Sequence, residues 1–548
     1  MTAAEPGIAT IEGPLDGSTF TDQDWHRSCD VLVIGLGAAG GASAISAKEA
    51  GADVLVAERF EGGGATTKSG GIVYLGGGTH IQQQAGVIDT PQEMFNYLRQ
   101  ESGDAVSDDA LMAFCNGSVD MLAWLESIGV GFQSNPNPPK TSYPRNGTYY
   151  YYSGNEGVPA YAEHAKPAAR GHRVTAPGIN SGRELYRALA ARVDALGIAV
   201  LRQTAARRLI VDAAGAVIGA ELRQLPPGSA AQLAHQKLQR KAEKIHDVMP
   251  AKADKLRAQA AAIEATHAQL LRVRARRGVI LSSGGYIFNR TMVRATAPQY
   301  LPAMRLGATG CDGSGIRLGA SVGGQPSHMH RVSAWRFINP PTNWPKGIVV
   351  DRQGQRFCNE QVYGARLGVD MVDKAGGHAW LIIDKTLRKL AIKEALFGKY
   401  WFFQTIPALF LMLFAKRAKT PEALAAKIGM PPQALKNTVA DYNASADGSR
   451  EDAMRKSVDM RHKLEGTLYA MDISADKKTF PCPSITLGGL EVDESSNAVI
   501  DANGQPIKGL YAAGRTALGV ASNGYVSGLS LADCLWSGRR AGTHAAQN

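Results

Sequence analysis

The chain has 548 residues, 44% of them apolar and 20% charged, with 61 glycines. That length and balance describe a folded protein large enough for two domains and exclude a disordered or fibrous chain. The formal charge is +11, but from Ser229 to Arg277 eleven Lys/Arg stand against four acids, so most of the excess is local and no nucleic-acid partner is expected. Six scattered cysteines (29, 115, 311, 358, 482 and 534) form no C-x-x-C pair, which favours free thiols in a reducing compartment over disulfides or a metal site. Residues 1–25 carry no apolar signal-like run, so a cytoplasmic protein is expected.

In chain order, Asp30-Val-Leu-Val-Ile-Gly-Leu-Gly-Ala-Ala-Gly40 is an apolar run that ends in Gly35-x-Gly37-x-x-Gly40 and enters helix-like sequence. A second run, Asp53-Val-Leu-Val-Ala-Glu58, closes on an acid eighteen residues past Gly40. This is a β-α-β fingerprint for a dinucleotide. Gly35 permits the tight turn, Gly37 lets the backbone approach a pyrophosphate, and Gly40 lets helix and strand pack closely. The helix N-terminus offers N–H groups to phosphate, and Glu58 can accept from ribose hydroxyls. Gly62 to Gly71 is a second small-residue loop. Residues 91–128 read as helices, and Tyr143 to Gly157, with five tyrosines, reads as a loop able to serve as a lid. Residues 180–197 read as a helix; Gly197–Arg202, Leu209–Asp212 and Val217–Leu222 read as strands.

The segment 229–272, rich in Ala, Gln, Lys and Leu, predicts two antiparallel helices joined at Pro250. Its roles stay open between an anionic membrane surface, a solvated hairpin and an oligomer contact. Gly278-Val-Ile-Leu-Ser-Ser-Gly-Gly285 returns to strand and glycine turn. Tyr400 to Ala415 is an apolar stretch of sixteen residues, broken by Pro407 and flanked by Lys393, Lys399, Lys416 and Arg417. It is too short to span a bilayer, which takes about 20 residues. The segment 396–417 suits an interfacial element; a buried core helix or a hydrophobic lip at a substrate entrance remain open. Gly509-Leu-Tyr-Ala-Ala-Gly514 predicts another buried strand and turn, followed by a final helix from about Ser530.

The Gly35–Gly40 loop, Glu58, Ser69-Gly-Gly71, Ile280-Leu-Ser-Ser-Gly-Gly285, Gly354-Gln-Arg-Phe-Cys-Asn-Glu360 and Gly509-Leu-Tyr-Ala-Ala-Gly514 occur in one order. Together they resemble the fumarate reductase/3-ketosteroid dehydrogenase superfamily of FAD enzymes over most of residues 28–545. The resemblance implies an α/β architecture: a Rossmann-like FAD domain from 28–328 and 478–548, with an inserted α+β substrate cap at 329–477. It implies FAD contacts from Gly35, Gly37, Ala38, Ala39, Gly40, Glu58, Arg59, Thr66, Thr67, Ser69, Gly70, Gly71, Ala205, Ser283, Gly284, Gly514, Arg515, Ser530 and Leu531. The helix beginning near Ser530-Leu531 points its N-terminus at the flavin N1/C2 oxygen edge, where it stabilises negative charge. Arg515 replaces the acid often found after the Ala-Gly turn. No His occupies Thr66–Ser69, so non-covalent FAD is expected.

Two motifs bear on the branch. In Asn359-Glu-Gln-Val-Tyr-Gly-Ala-Arg366, Tyr363 stands near the place of the proton-donating Arg of fumarate-reductase-like members, and no His/Arg clamp for a dicarboxylate is evident. Ser522-Asn-Gly-Tyr-Val-Ser-Gly-Leu-Ser-Leu-Ala-Asp533 is similar to the pattern of 3-ketosteroid Δ4-(5α)-dehydrogenases, as is Tyr150-Tyr-Tyr-Ser-Gly-Asn-Glu156; the Tyr-Pro-Gly-Pro-Gly-like version of Δ1 enzymes is missing. The resemblance gives Tyr525, with a backbone N–H near Gly528 or Leu529, the role of polarising a ketone oxygen. It gives Ser527 with Tyr363 the C4 proton, and leaves Tyr150, Tyr151 and Tyr152 as candidates to line a steroid pocket. The implied partners are a hydrophobic steroid, an electron acceptor of dye or quinone type, and a membrane surface. A Δ1-dehydrogenase, a fumarate- or urocanate-type reductase and a non-enzymatic flavin-binding protein stay open as rivals.

Overall fold

The computed structural model describes residues 7–548. The run Arg27–Ile34 is an inner strand of a nine-stranded sheet. Val54–Ala57 lies parallel on one side, Val31 opposite Val54 and Ile34 opposite Ala57, and Ala199–Leu201 extends beyond it. On the other side Gln269–Leu281 runs parallel, and Pro506–Ala512 joins its end. The first half of Gln269–Leu281 also pairs antiparallel with Val217–Gln224, which pairs with Thr204–Val211. The inner strands are covered on both faces, which is why they read as unbroken apolar runs. This is the Rossmann-like α/β arrangement expected from the glycine loop.

Two helices close one face of this sheet. Ala38–Glu49 follows the glycine loop, and every residue from Ala38 to Ala47 is buried. Leu529–Gln547 ends the chain and lies directly on it. A Cβ on Gly538 would stand 2.4 Å from the Ala39 carbonyl oxygen, and one on Gly542 would stand 2.2 Å from that of Ser43. At the turn, a Cβ on Gly40 would meet the Gly35 carbonyl oxygen at 1.9 Å, and Gly35 adopts φ +101°.

A second core belongs to the cap. Its antiparallel sheet has the order Ile348–Val350, Trp380–Asp384, Leu468–Asp472, Lys416–Ala418. Trp344, Leu381, Ile383 and Leu435 are fully buried there. Beside it a buried ion network fixes the chain that leads to Tyr363. Arg356 forks onto Glu360 at 2.9 and 2.8 Å and reaches Asp452 at 2.6 Å, while Lys456 Nζ meets Glu360 at 2.7 Å. Tyr363 follows as the residue that opens helix Gly364–Ala375.

The segment 229–272 forms the expected hairpin, Ala230–Ile245 and Pro250–His267, with Pro250 at the first turn where its missing N–H costs nothing. It does not stand out from the body. His235, Gln239, Arg257 and Glu264 are buried against the nucleotide half of the protein. The apolar segment forms helix Phe402–Leu413 with Pro407 inside it. Among the described residues no helix is long and apolar enough to cross a membrane.

Because the contact between the first and last helices is backbone to glycine, a side chain there has no room to relax. Gly538→Val should lower stability by about 1–3 kcal/mol in urea unfolding. Gly13→Ala, with no neighbour inside 4 Å, should change it by less than about 0.5 kcal/mol.

Candidate active site

A cavity of about 550 Å³ opens at the C-terminal ends of the parallel strands. It is lined by Gly35, Gly37, Ala38, Ala39, Glu58, Arg59, Thr66, Thr67, Ala205, Ser283, Gly284 and Arg515 from the expected set. The Thr66 hydroxyl accepts the Ala38 N–H at 2.9 Å, pinning the second glycine-rich loop to the first turn of the helix. Glu58 accepts N–H groups of Leu36 at 2.8 Å and Phe60 at 2.7 Å, which fixes its carboxylate at the wall. Burial raises its proton affinity, and those two donors oppose the rise.

The residues present fit FAD. A Cβ on Gly37 would meet no protein atom closer than 3.5 Å, so this glycine answers to something in the cavity rather than to packing. Arg515 Nη1 and both amide atoms of Gln239 are buried without a hydrogen-bond partner on cavity-lining residues. Such groups are costly unless a ligand meets them.

Other expected residues have protein partners of their own. Arg59 lines the cavity while its guanidinium pairs with Glu264 and Asp312, each at 3.0 Å. Gly40 is a packing residue. Ser69 accepts the Gly71 N–H at 3.2 Å and donates to Thr66 O at 2.7 Å; a Cβ on Gly70 would press the Tyr143 ring at 2.7 Å, and Gly71 abuts Ser181. Gly514, at φ +60°, lies between Ala39 and Cys534. Ser530 and Leu531 are in the first turn of the last helix, which begins at Leu529, one residue earlier than expected.

A cluster of hydroxyls adjoins the cavity. Ser527 Oγ lies 3.2 Å from the Tyr151 hydroxyl, and Ser153 ties down its backbone with a hydroxyl bond to Ser527 O at 3.0 Å. Tyr363 is buried beside them; burial pushes its phenol well up, the nearby Tyr525 and Tyr151 push the same way, and Ser527 pulls it down. Tyr525 sits where this cluster meets the cavity. Burial pushes its phenol up to about 12, with the Arg515 guanidinium opposing. Arg515 and Cys534, its other neighbour, are both cavity-lining residues, so the one guanidinium acting on Tyr525 belongs to the nucleotide side.

An aromatic wall joins the two phenols. The Tyr525 ring is 4.8 Å from Trp335, Trp335 is 6.0 Å from Phe337, and Phe337 is 5.8 Å from Tyr363. Sequence reasoning missed Trp335 and Phe337; their two-residue spacing, which puts both on one side of an extended segment, was the available signal. It also missed Asn155 and Glu101. Asn155 Oδ1 accepts the Tyr363 N–H at 2.6 Å, while its amide donates to Glu101 at 2.7 Å. The Glu101 carbonyl in turn accepts the Gly524 N–H at 2.7 Å and the Asn523 amide at 2.8 Å, next to Tyr525. Burial pushes the Glu101 carboxyl up to about 6, against donors from Asn155 and Tyr97.

The tyrosine triplet divides. Tyr151 faces the cluster. Tyr150 is a core residue whose hydroxyl donates to Ala169 O at 2.6 Å, which removes it from any pocket. Tyr152 is half-buried and its N–H bonds Pro139 O at 2.9 Å. Gly528, at φ +94°, packs on Ile72 and Tyr74, and the Leu529 N–H is donated to Val526 O at 3.0 Å, so that N–H is not available to a ketone oxygen. Arg366 pairs with Asp370 at 3.3 Å.

Comparison with known proteins places this geometry. The FAD binding domain family matches residues 30–531. The 3-oxo-5-alpha-steroid 4-dehydrogenase of Comamonas testosteroni is 43% identical over 516 residues, covering 91% of this chain and 95% of that one. The crystal structure of 3-ketosteroid-delta4-(5alpha)-dehydrogenase from Rhodococcus jostii RHA1, in complex with 4-androstene-3,17-dione, superposes with a TM-score of 0.81 at 30% identity, over 98% of this chain and 100% of that one. The 3-ketosteroid delta1-dehydrogenase of Sterolibacterium denitrificans shares the fold at a TM-score of 0.65 and 20% identity, over 95% of this chain and 100% of that one. The chain therefore belongs to the FAD-binding flavoprotein family, in the group that includes the Comamonas 3-oxo-5-alpha-steroid 4-dehydrogenase, and FAD is its cofactor.

Proposed function

We propose that the protein dehydrogenates a 3-ketosteroid between C4 and C5. The observation that carries this reading is Ser527 set among the phenols of Tyr151 and Tyr363, along an aromatic wall that ends on Tyr525. FAD, when bound, supplies the acceptor for the C5 hydride, and an acceptor outside the chain takes the electrons onward. The C4 proton is alpha to the ketone, and its loss places negative charge on the carbonyl oxygen. Tyr525, protonated at neutral pH as an ordinary phenol is and pushed further up to about 12 by burial, donates to that oxygen. Ser527 takes the C4 proton as it passes its own into the phenol pair, and the net proton leaves along the hydroxyls to water. The wall of Trp335 and Phe337 holds an apolar ring system; it offers no fork of donors to a dicarboxylate, which weakens the fumarate-type reading.

The apolar helix extends this reading to a lipid surface. Phe402, Ile406, Phe410 and Leu413 are exposed, Phe402 at 66% and Leu413 at 71%, and Leu396 and Phe397 from the preceding helix join them. Lys393, Lys399, Lys416 and Arg417 are exposed around the patch. Each such cation contributes about 1 kcal/mol near anionic lipid. The start of the same helix touches the tyrosine-rich loop: the Trp401 indole, just before it, donates to Pro144 O at 2.9 Å, and the Tyr143 ring lies 5.5 Å from Phe403. A steroid dissolved in the bilayer would enter beside that contact, and the surface is the inner face of the membrane if the chain is cytoplasmic.

With the 5α-dihydro form of 4-androstene-3,17-dione, anaerobic bleaching of the flavin should yield the 4-ene; a 1-ene product would transfer the assignment to the neighbouring bond. Tyr363→Phe and Tyr525→Phe should each lower turnover at least about 10²-fold while FAD stays bound, because each removes one proton-handling group. Asn155→Ala should lower kcat by about 10²-fold with a smaller change in KM, since it displaces Tyr363 without touching the steroid. Phe402→Ser with Phe410→Ser should abolish sedimentation with phosphatidylserine-containing vesicles and leave turnover of a water-dispersed steroid intact. Equal binding of the wild type to neutral and anionic vesicles would remove the electrostatic part of the docking.

A further inference from the structure

The hairpin 230–267 has a role that the dehydrogenation does not use. Its first helix turns Gln239, Arg240, Glu243 and Lys244, one turn apart, toward the nucleotide cavity. Gln239 is 4% exposed, and neither its amide nitrogen nor its oxygen has a partner. Glu243 accepts the Thr309 N–H at 2.8 Å and pairs with Lys68. Lys68 and Thr309 come from separate loops of the cavity wall, so one carboxylate bridges two rims. On the returning helix, Glu264 takes the Arg59 fork at 3.0 and 3.1 Å and His235 Nε2 at 3.0 Å. Arg59 directly follows Glu58, the acid expected to meet the ribose, so the hairpin is clamped to the wall beside that acid.

We propose that this hairpin is the outer wall of the FAD site, with Gln239 contacting the adenine of the cofactor and Glu243 latching the wall across the cavity. An adenine edge presents a donor beside a ring acceptor, the pattern a primary amide meets with two hydrogen bonds. Among the described residues of the wall, Gln239 carries such a donor and acceptor pair without a protein partner. Although burial alone would raise the Glu243 carboxyl, Lys68 and Thr309 keep it below the usual carboxylate range, so the latch stays ionised near neutral pH. Cofactor exchange then requires the first hairpin helix to lift.

The test is FAD release from the purified holoprotein, followed by recovery of free-flavin fluorescence, with thermal unfolding of the apoproteins alongside. Gln239→Leu should weaken FAD binding about 5- to 150-fold, the worth of one bidentate adenine contact. Its apoprotein should unfold no earlier than the wild type, because a merely structural glutamine would show the opposite. Glu243→Gln should release FAD at least about tenfold faster, since opening becomes easier with the ion pair gone. Unchanged affinity in Gln239→Leu, or in Gln239→Met should the first variant not fold, overturns the adenine contact. Unchanged release in Glu243→Gln overturns the latch. None of these readouts involves a steroid, so failure here leaves the dehydrogenase reading untouched, and the reverse also holds.

Discussion

The close packing of the last helix on the first sets the geometry of the whole site. Gly538 and Gly542 let Leu529–Gln547 lie against the backbone of Ala39 and Ser43 with no side chain between. The two helices run in the same direction, since 538 meets 39 and 542 meets 43. The last helix therefore begins nine residues before its contact, whereas the first begins one residue before. At 1.5 Å per residue the last helix projects about 12 Å past the mouth of the pyrophosphate turn. That overhang carries Tyr525 and Ser527 beyond the nucleotide half of the cavity. Gly514, caught between Ala39 and Cys534, fixes the same two helices from the sheet side.

The hydroxyls of the cluster come from three distant stretches of chain, and one small polar connection holds them in relation. Asn155 joins the Tyr363 backbone to the Glu101 carboxylate, and the Glu101 carbonyl holds the residues just before Tyr525. A side chain on the tyrosine-rich loop thus reports the position of the cap to the C-terminal loop. All of its hydrogen bonds are buried, where a lost partner is expensive, so the arrangement is stiff. The ion network of Arg356, Glu360, Asp452 and Lys456 plays the matching part inside the cap: buried charges tolerate only one geometry, and Tyr363 begins a helix three residues later.

What the chain shows without coordinates follows from local rules. The strands around Gly35 and Glu58, the glycine turns and the paired helices at Pro250 are each dictated by period, turn chemistry or a missing N–H, and each is where the residues place it. Long-range partnerships are a different matter. Arg59 reads as a nucleotide ligand, yet it answers to Glu264, two hundred residues away and on the hairpin. The hairpin's own acids are likewise spent on the nucleotide loops, Glu243 on Lys68 and Glu264 on Arg59, while its Arg240 meets Glu61. Within Tyr150–Tyr152 the alternation of a short strand sends one ring to the core and the next to Ser527, and only the sheet partner decides which face is which.

The electrostatics of the hydroxyl cluster narrow the chemistry further. A phenol is neutral at neutral pH, and burial drives those of Tyr363, Tyr151 and Tyr525 further upward, so each keeps a proton it can donate. A site of neutral donors walled by Trp335 and Phe337 stabilises charge that appears during reaction and penalises charge that arrives with the substrate. A dicarboxylate would have to shed its water against aromatic faces, while a ketone brings only a dipole. Oxidation beside a carbonyl, as proposed, suits this balance, because the negative charge would develop on a ketone oxygen that a phenol could meet and would be gone when the double bond is conjugated. On the proposed mechanism the pairing of Ser527 with a phenol matters for the same reason: a base as weak as serine can take a carbon-bound proton only if its own proton moves in the same event.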